Sequence, residues 1–137
     1  MGVVDDLPPV EFAFPGPLRD RLVGAILAGI KTSTSSLVRE YETADEPLPE
    51  VGERGAVVDS DGARVAVIEI TSVRVVPLGE VPVEHALAEG EGYRSVAEWR
   101  AGHTDFWTSD AMRAELGADF ELTDATLVVL EEFALVR

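Results

Sequence analysis

Residues 22–36 read Leu-Val-Gly-Ala-Ile-Leu-Ala-Gly-Ile-Lys-Thr-Ser-Thr-Ser-Ser. The apolar part is the end of a helix that begins at Pro17, because its apolar residues recur at helical spacing and proline suits the first helical turn. Gly29 has the position of a glycine that ends a helix. One cation, Lys31, and five consecutive hydroxyl residues, 32–36, follow directly. The segment where the helix ends and the polar strand begins is therefore predicted to form the base of a functional site.

Strand patterns recur on both sides of a helical stretch. Alternation or β-propensity predicts strands over 31–38, 54–59, 64–76 and 126–136. Asp61-Gly62 is a hairpin signal, whereas the acidic, proline-broken residues 40–53 are expected to form a loop.

The helical stretch lies between the third and fourth predicted strands. Short helices are expected over 82–88 and 110–116, and Ser95 with Glu98 has the capping-box pattern of a third helix between them. Strands interrupted by helices, with a last strand that returns to the sheet, predict an α+β fold. Its core is expected to be a small mixed β-barrel of about five or six strands with flanking helices.

Composition limits the organisation and the partners of the chain. The 137 residues contain no cysteine, so a disulfide framework and a Cys-based zinc site are excluded. This length predicts one domain over 12–137, preceded by a flexible lead-in over 1–11. Apolar runs of only a few residues predict no membrane partner and no signal peptide, and hence a cytoplasmic protein.

The formal net charge of −15 is unevenly distributed. Residues 1–40 contain four basic and five acidic side chains, so residues 41–137 carry a net charge of −14. Binding to a nucleic-acid backbone depends on many Lys and Arg contacts to phosphate, which excludes a long duplex DNA as a partner. A small nucleoside-like ligand or a short single-stranded RNA is able to approach the first segment.

Gly29-Ile30-Lys31-Thr32-Ser33-Thr34 resembles the Gly-x-Lys-x-x-Thr signature of the ASCH family, whose fold is similar to the PUA RNA-binding barrel. Further segments resemble blocks of the longer bacterial ASCH proteins, in the same order. These are Leu48-Pro49-Glu50-Val51-Gly52, Val67-Ile68-Glu69-Ile70-Thr71, Ala88-Glu89-Gly90-Glu91-Gly92 and Ser95-x-x-Glu98-Trp99-Arg100-x-x-His103-x-x-Phe106. The ordered string is more specific than the signature alone. Tyr93 departs from the pattern, which has an acidic residue there.

The resemblance implies functions from different classes. Some small ASCH proteins resemble amidohydrolases that deacetylate acetylcytidine, which assigns catalytic roles to Lys31, Thr34 and Glu89. Others are similar to metal-dependent or metal-independent ribonucleases, or to RNA-binding modules in which the lysine and the hydroxyl run hold a phosphate or a base edge. A pocket without activity is a further alternative. The residues expected to contact the substrate are Thr32, Ser33, Ser35, Arg39, Glu69, Glu91 and Tyr93.

Amide cleavage by Thr34 would require a proton acceptor and a suitable backbone geometry. A hydroxyl attacks only when a base removes its proton, and the one candidate base near Thr34 in sequence is Lys31. The negative end of the preceding helix favours the ammonium form, so Lys31 is either a strongly desolvated base or a cation that binds the oxyanion. Residues three apart on a regular strand face opposite sides, so Lys31 and Thr34 meet only where the chain turns or bulges.

No metal or cofactor is required by any cluster in the sequence. His85 and His103 are the only imidazoles and have no companion at metal-ligand spacing, so structural roles are expected for both. His103 lies at helical spacing from Trp99 and Phe106 and is predicted to pack with them.

Overall fold

The structure, a computed structural model, describes residues 6–136. Five strands of this part of the chain form one sheet, namely Pro9–Val10 (β1), Ser33–Leu37 (β2), Arg54–Val58 (β3), Arg64–Pro77 (β4) and Leu127–Leu135 (β5). Their order is β1-β3-β4-β5-β2, and the sheet curls into an open half-barrel. The parallel pairing of β1 with β3 makes the sheet mixed, since the other pairs are antiparallel. The predicted α+β fold with a small barrel-like sheet is confirmed.

Helices cover both faces of the sheet. The α-helices among the described residues are Pro17–Leu27 (α1), Val38–Ala44 (α2), Val83–Ala88 (α3), Val96–Trp107 (α4) and Asp110–Leu116 (α5), with a 3-10 turn at Leu78–Glu80. The capping box predicted at the start of α4 is present in modified form. The Ser95 hydroxyl accepts a hydrogen bond from the Glu98 amide at 3.1 Å, while the Glu98 carboxylate accepts from the Arg94 amide at 2.9 Å.

The segment that begins with β2 differs from its predicted structure in two ways. The strand expected over 31–38 ends at Leu37, and α2 occupies part of the loop expected over 40–53. The Glu40 carboxylate accepts a hydrogen bond from the Leu37 amide at 2.7 Å and so caps the first turn of α2. Leu37 is not a residue type that marks a helix N-terminus, which is why the sequence pattern missed this helix.

Part of the predicted lead-in over 1–11 lies in the sheet. Pro9–Val10 joins the sheet as β1, where the Ala56 amide of β3 donates to the Pro8 carbonyl at 2.9 Å. Residues 1–5 of that prediction lie outside the described residues. The sheet therefore extends beyond the predicted start of the domain at residue 12.

Two hydrophobic clusters lie on opposite faces of the sheet. One joins α3, α4 and α5 to β5 through residues that include Trp99 and Leu130. The other joins α1 to β3, β4 and β5 through residues that include Ile26 and Phe133. Alternate residues of β5 serve the two clusters because successive side chains of a strand point to opposite faces. Its partner β2 is an edge strand and carries hydroxyl groups on both faces.

Within residues 6–136, no helix has both the length and the apolar character needed to cross a bilayer.

Candidate functional site

Lys31 is placed by the turn that follows α1. The amides of Ile30 and Lys31 both donate to the Ala25 carbonyl, at 2.9 and 3.1 Å, and Gly29 has a φ of 77°, which glycine adopts without strain. The chain then enters β2, and the Lys31 side chain turns inward. Its relative exposure is only 2%.

Gly90 allows the loop after α3 to press against this turn. A Cβ atom at Gly90 would lie 2.7 Å from the Ile30 carbonyl oxygen and 2.8 Å from the Lys31 Cα, and the φ of Gly90 is +68°. Both the space and the backbone conformation therefore require glycine. The approach is fixed by a hydrogen bond from the Thr32 amide to the Ala88 carbonyl at 2.9 Å. It brings the side chains on either side of Gly90 to Lys31.

The Lys31 ammonium is surrounded by oxygen atoms. Its Nζ donates to the carbonyl oxygens of Ser33, at 2.7 Å, and Glu89, at 3.3 Å. Carboxylate oxygens of Glu89 and Glu91 lie 3.9 and 3.6 Å from the same atom. All of these contacts favour the charged form. Of the two roles open to Lys31, the geometry favours a cation that donates hydrogen bonds over a base that accepts a proton.

Glu89 is the hub of the buried polar network, and its side chain is only 1% exposed. Its Oε2 accepts from the Ser35 hydroxyl at 2.5 Å and from the Trp99 indole at 2.6 Å. His103 Nε2 lies 3.0 Å from Oε1 and His85 Nε2 lies 3.2 Å from Oε2. Burial alone would raise the pKa of Glu89, but the two imidazoles and Lys31 outweigh burial and hold the pKa well below its ordinary value.

His103 is the charged partner of Glu89. Its Nδ1 donates to the Trp99 carbonyl at 2.9 Å, so both ring nitrogens serve as donors, as in an imidazolium. Burial lowers the pKa of His103, but the hydrogen bond to Glu89 and its negative charge raise the pKa above the ordinary value. The predicted packing on Trp99 is also present, with ring centroids 4.4 Å apart. The sequence pattern identified this packing and missed the ion pair.

His85 and Ser35 complete the network without forming a catalytic triad. His85 Nε2 lies 2.8 Å from the Ser35 hydroxyl, which itself donates to Glu89. In a triad the carboxylate would contact Nδ1 of the histidine, on the far side of the ring. The Nδ1 atom of His85 is buried, and no residue within 6–136 bonds to it. The Ser35 hydroxyl therefore positions the Glu89 carboxylate, and His85 Nε2 contacts both groups.

Glu91 lies beside the Lys31–Glu89 pair and also contacts the Lys31 ammonium. Burial and the neighbouring Glu89 carboxylate raise the pKa of Glu91, although Lys31 acts in the opposite direction. Donor atoms of Glu89, Glu91 and His103 lie within 4.8 Å of one another, a spacing that suits a divalent ion. Lys31 already supplies the positive charge between the two carboxylates. The residues therefore do not fit a metal ion while Lys31 keeps this position.

A cleft of about 910 Å³ opens above the network. Its lining includes Lys31, Thr34, Ser35, Glu89, Glu91 and Tyr93, so most of the predicted site residues come together there. Thr34 lies directly opposite Glu131 of β5 in the antiparallel ladder. The aromatic rings of Phe12 and Phe106 also line the cleft.

Glu131 is a cleft residue that the sequence analysis missed. Burial and the nearby carboxylates of Glu53 and Glu40 raise the pKa of Glu131 to about 7, against the opposing effect of Lys31. The signal in the sequence was a Glu-Glu pair, 131–132, inside an otherwise apolar closing strand. That signal does not reveal which of the two carboxylates faces a cavity.

Tyr93, which stands where the resemblance leads us to expect an acidic residue, lines the cleft. A Cβ atom at Gly102 would collide with the Tyr93 hydroxyl, so the bare backbone of α4 makes room for the ring. Burial and the charges of Glu91 and Glu89 raise the pKa of Tyr93 to about 12. Tyr93 is therefore a neutral hydrogen-bonding ring beside the network.

The remaining predicted binding residues are occupied elsewhere. Arg39 donates to the Leu116 carbonyl at 2.9 Å, so α2 is tied to α5, and Glu69 pairs with Arg54 at 2.8 Å on the surface. Thr32 is exposed and Ser33 is fully buried, with its hydroxyl donating to the His85 carbonyl at 3.1 Å. These four side chains are absent from the cleft lining because each is held by its own neighbours or faces solvent.

Comparisons with known proteins agree with this architecture. The ASCH domain family matches residues 11–137. A crystal structure of an ASCH domain from Lactobacillus crispatus JV V101 is 32% identical, superposes with a TM-score of 0.81, and is matched over 93% of this chain and 78% of that one. A protein from Enterococcus faecalis V583 is 25% identical, has a TM-score of 0.81, and is matched over 94% and 76% of the two chains. No curated protein matches the sequence. The resemblance predicted from the sequence blocks is confirmed, and the chain belongs to the ASCH domain family.

Proposed function

We propose that the protein is an amidohydrolase that removes acyl groups from small N-acylated nucleosides of the cytidine type. The observation that carries this proposal is the buried Lys31–Glu89 pair at the floor of a cleft that Thr34 also lines. Thr34 attacks the acyl carbon, and the Lys31 ammonium stabilises the negative charge that develops on the acyl oxygen. Glu89 holds the ammonium in place.

The position of Lys31 suits an oxyanion-binding group. A donor stabilises a developing charge best when it is already oriented and shielded from water. The Nζ atom is fixed by the Ser33 and Glu89 carbonyls and is nearly inaccessible to bulk solvent. Little reorganisation is therefore needed when the charge appears on the substrate.

The size and charge of the cleft favour a small ligand over a polyanion. A volume of about 910 Å³ is within the range of small-molecule sites. Acidic side chains outnumber basic ones along the lining, which disfavours a run of phosphates. The half-buried rings of Tyr93 and Phe106 offer faces for a nucleobase.

Turnover of N-acetylcytidine by the purified protein, followed by chromatography, tests the proposal. Lys31→Met and Thr34→Val are each expected to reduce kcat/KM by at least about 100-fold, because they remove the oxyanion donor and the nucleophile. Thr32→Val is the matched control, since this neighbouring hydroxyl is exposed and outside the cleft lining. An inactive wild-type protein, or a Thr34→Val variant with full activity, would contradict the proposal.

Binding of single-stranded RNA is the second candidate, and the aromatic side chains of the cleft are the observation that favours it. Unpaired bases stack on such rings, and the PUA-like family is often linked to RNA binding. Fluorescence anisotropy with a short labelled RNA is expected to show binding that weakens as salt is added. If no binding is seen at low salt, this candidate is excluded.

A further inference from the structure

We propose that Glu131 is the catalytic base that takes the proton from the Thr34 hydroxyl. This inference rests on the proposed hydrolase function and deepens it, because it supplies a proton acceptor that Lys31 and Glu89 do not provide.

The register of the sheet brings the two residues together. Thr34 of β2 and Glu131 of β5 are paired directly across an antiparallel ladder, and both line the cleft. Side chains that are directly opposite in such a ladder project from the same face, with Cβ atoms about 4.5–5.5 Å apart. A glutamate side chain is long enough to span this separation and to bring its carboxylate to the Thr34 hydroxyl.

The other ionisable groups of the site are poor proton acceptors. Lys31 donates to two carbonyls and contacts two carboxylates, so its surroundings use it as a hydrogen-bond donor and not as a proton acceptor. The Glu89 carboxylate is saturated by the Ser35 hydroxyl, the Trp99 indole and two imidazoles. A carboxylate stabilised so strongly has little affinity for another proton.

Glu131 has surroundings of the opposite kind. Charged or titratable groups face it from several elements: Glu40 and Tyr41 from α2, Glu53 from the segment before β3, and Lys31 from the turn before β2. The Tyr41 hydroxyl is hydrogen-bonded to Ser36 at 2.9 Å. Burial and two like charges raise the pKa of Glu131 to about 7, which suits proton transfer at neutral pH.

The proton balance of the reaction needs no other group. The Thr34 proton passes to Glu131 as Oγ1 bonds to the acyl carbon, and the same proton passes to the leaving nitrogen as the C–N bond breaks. Water then attacks the threonyl ester and gives one proton to Glu131. That proton returns to Oγ1 as the ester bond breaks, which restores both side chains.

The experiment compares Glu131→Gln with Glu132→Gln, the adjacent carboxylate of β5, which is exposed on the other face. With N-acetylcytidine as substrate, kcat/KM is measured across the pH range from 5 to 9. Glu131→Gln is expected to lose at least about 100-fold at pH 8 and to lose the wild-type rise in rate near neutral pH. Glu132→Gln is expected to keep the wild-type profile.

The outcomes separate the two proposals. Turnover by the wild type that persists with an unchanged pH profile in Glu131→Gln would overturn the role of Glu131 and leave the hydrolase function intact. An inactive wild-type protein would overturn the hydrolase function itself, and the role of Glu131 with it. Glu131→Asp, which restores the carboxylate, is expected to recover part of the lost rate if Glu131 is the base, and no recovery would contradict the assignment.

Discussion

Glu89 is a buried carboxylate and Glu131 a half-buried one in the same cleft, yet folding moves their pKa values in opposite directions. Burial raises the pKa of both groups. Glu89 is in addition bonded to donors and paired with His103 and Lys31, whereas Glu131 faces the carboxylates of Glu40 and Glu53. The partners, and not the degree of burial, decide which carboxylate is a permanent anion and which exchanges protons near neutral pH.

This contrast distinguishes two ends of the cleft, one at Glu89 and one at Glu131. The Glu89 end is rigid because every polar atom of that carboxylate is engaged, and it serves to hold the Lys31 charge. The Glu131 end keeps an ionisable group opposite the proposed nucleophile, Thr34. Substitutions at each end of the cleft test this division.

The largest effect is expected from Glu89→Gln. The substitution removes the carboxylate that His103 contacts at 3.0 Å and one of the two that Lys31 contacts, in a buried site. Removing one partner of a buried ion pair typically costs about 3–5 kcal/mol of unfolding free energy. Urea unfolding at pH 7 measures this loss.

Glu69→Gln is the control for that measurement. Glu69 is also ion-paired, to Arg54, but both side chains are partly exposed and the pair is screened by water. Its loss is expected to cost at most about 1 kcal/mol. Equal losses in the two variants would show that the Glu89 network does not have the special stability assigned to it.

Gly90→Ala is expected to have the next largest effect. The added Cβ would lie 2.7 Å from the Ile30 carbonyl oxygen, so the loop must move away from Lys31. Backbone strain and displaced contacts are expected to lower the free energy of unfolding by about 2–3 kcal/mol. The Lys31 and Glu89 side chains separate as a consequence, and turnover falls with stability.

The Gly92→Ala variant separates the cost of backbone strain from the cost of a steric clash. Its φ of +88° is also positive, but no atom lies within 4 Å of the added Cβ. The strained backbone alone is therefore expected to lower the free energy of unfolding, by about 1–2 kcal/mol. If the two alanine variants unfold at the same urea concentration, the close approach of the loop to Lys31 is not what organises this end of the cleft.

The sequence allows the Glu89 end to be predicted better than the Glu131 end. Lys31 lies in a local motif, and Glu89 lies in a Gly-flanked block whose place in the chain is distinctive. Both belong to turns whose geometry is encoded by glycines close to them in sequence, Gly29 and Gly90. Local encoding of this kind is visible without a structure.

Glu131 could not be identified in the same way. Its proximity to Thr34 depends on the antiparallel register of β2 and β5, which join distant parts of the chain. Its pKa depends on Glu40, and Glu40 reaches the cleft only because α2 replaces a predicted loop. The same limit explains Arg39, whose partner Leu116 lies on a distant helix. Glu69 differs, because its partner Arg54 lies opposite it in the local β3–β4 hairpin.

The smallest effect, and the sharpest test of the contrast, is the pH dependence of stability in Glu131→Gln. A carboxyl group whose pKa is raised by folding binds its proton more tightly in the folded state, so wild-type stability falls as pH rises from 4.5 to about 7. A glutamine side chain does not ionise, so the variant does not lose stability in this way as the pH rises. We expect the variant to gain stability over the wild type as the pH is raised from 5 to 8, by about 2 kcal/mol in urea unfolding. The exposed Glu132→Gln control is expected to show no such trend. A Glu131→Gln effect that does not change with pH would mean that Glu131 is ionised without cost, and the two ends of the cleft would then hold equivalent carboxylates.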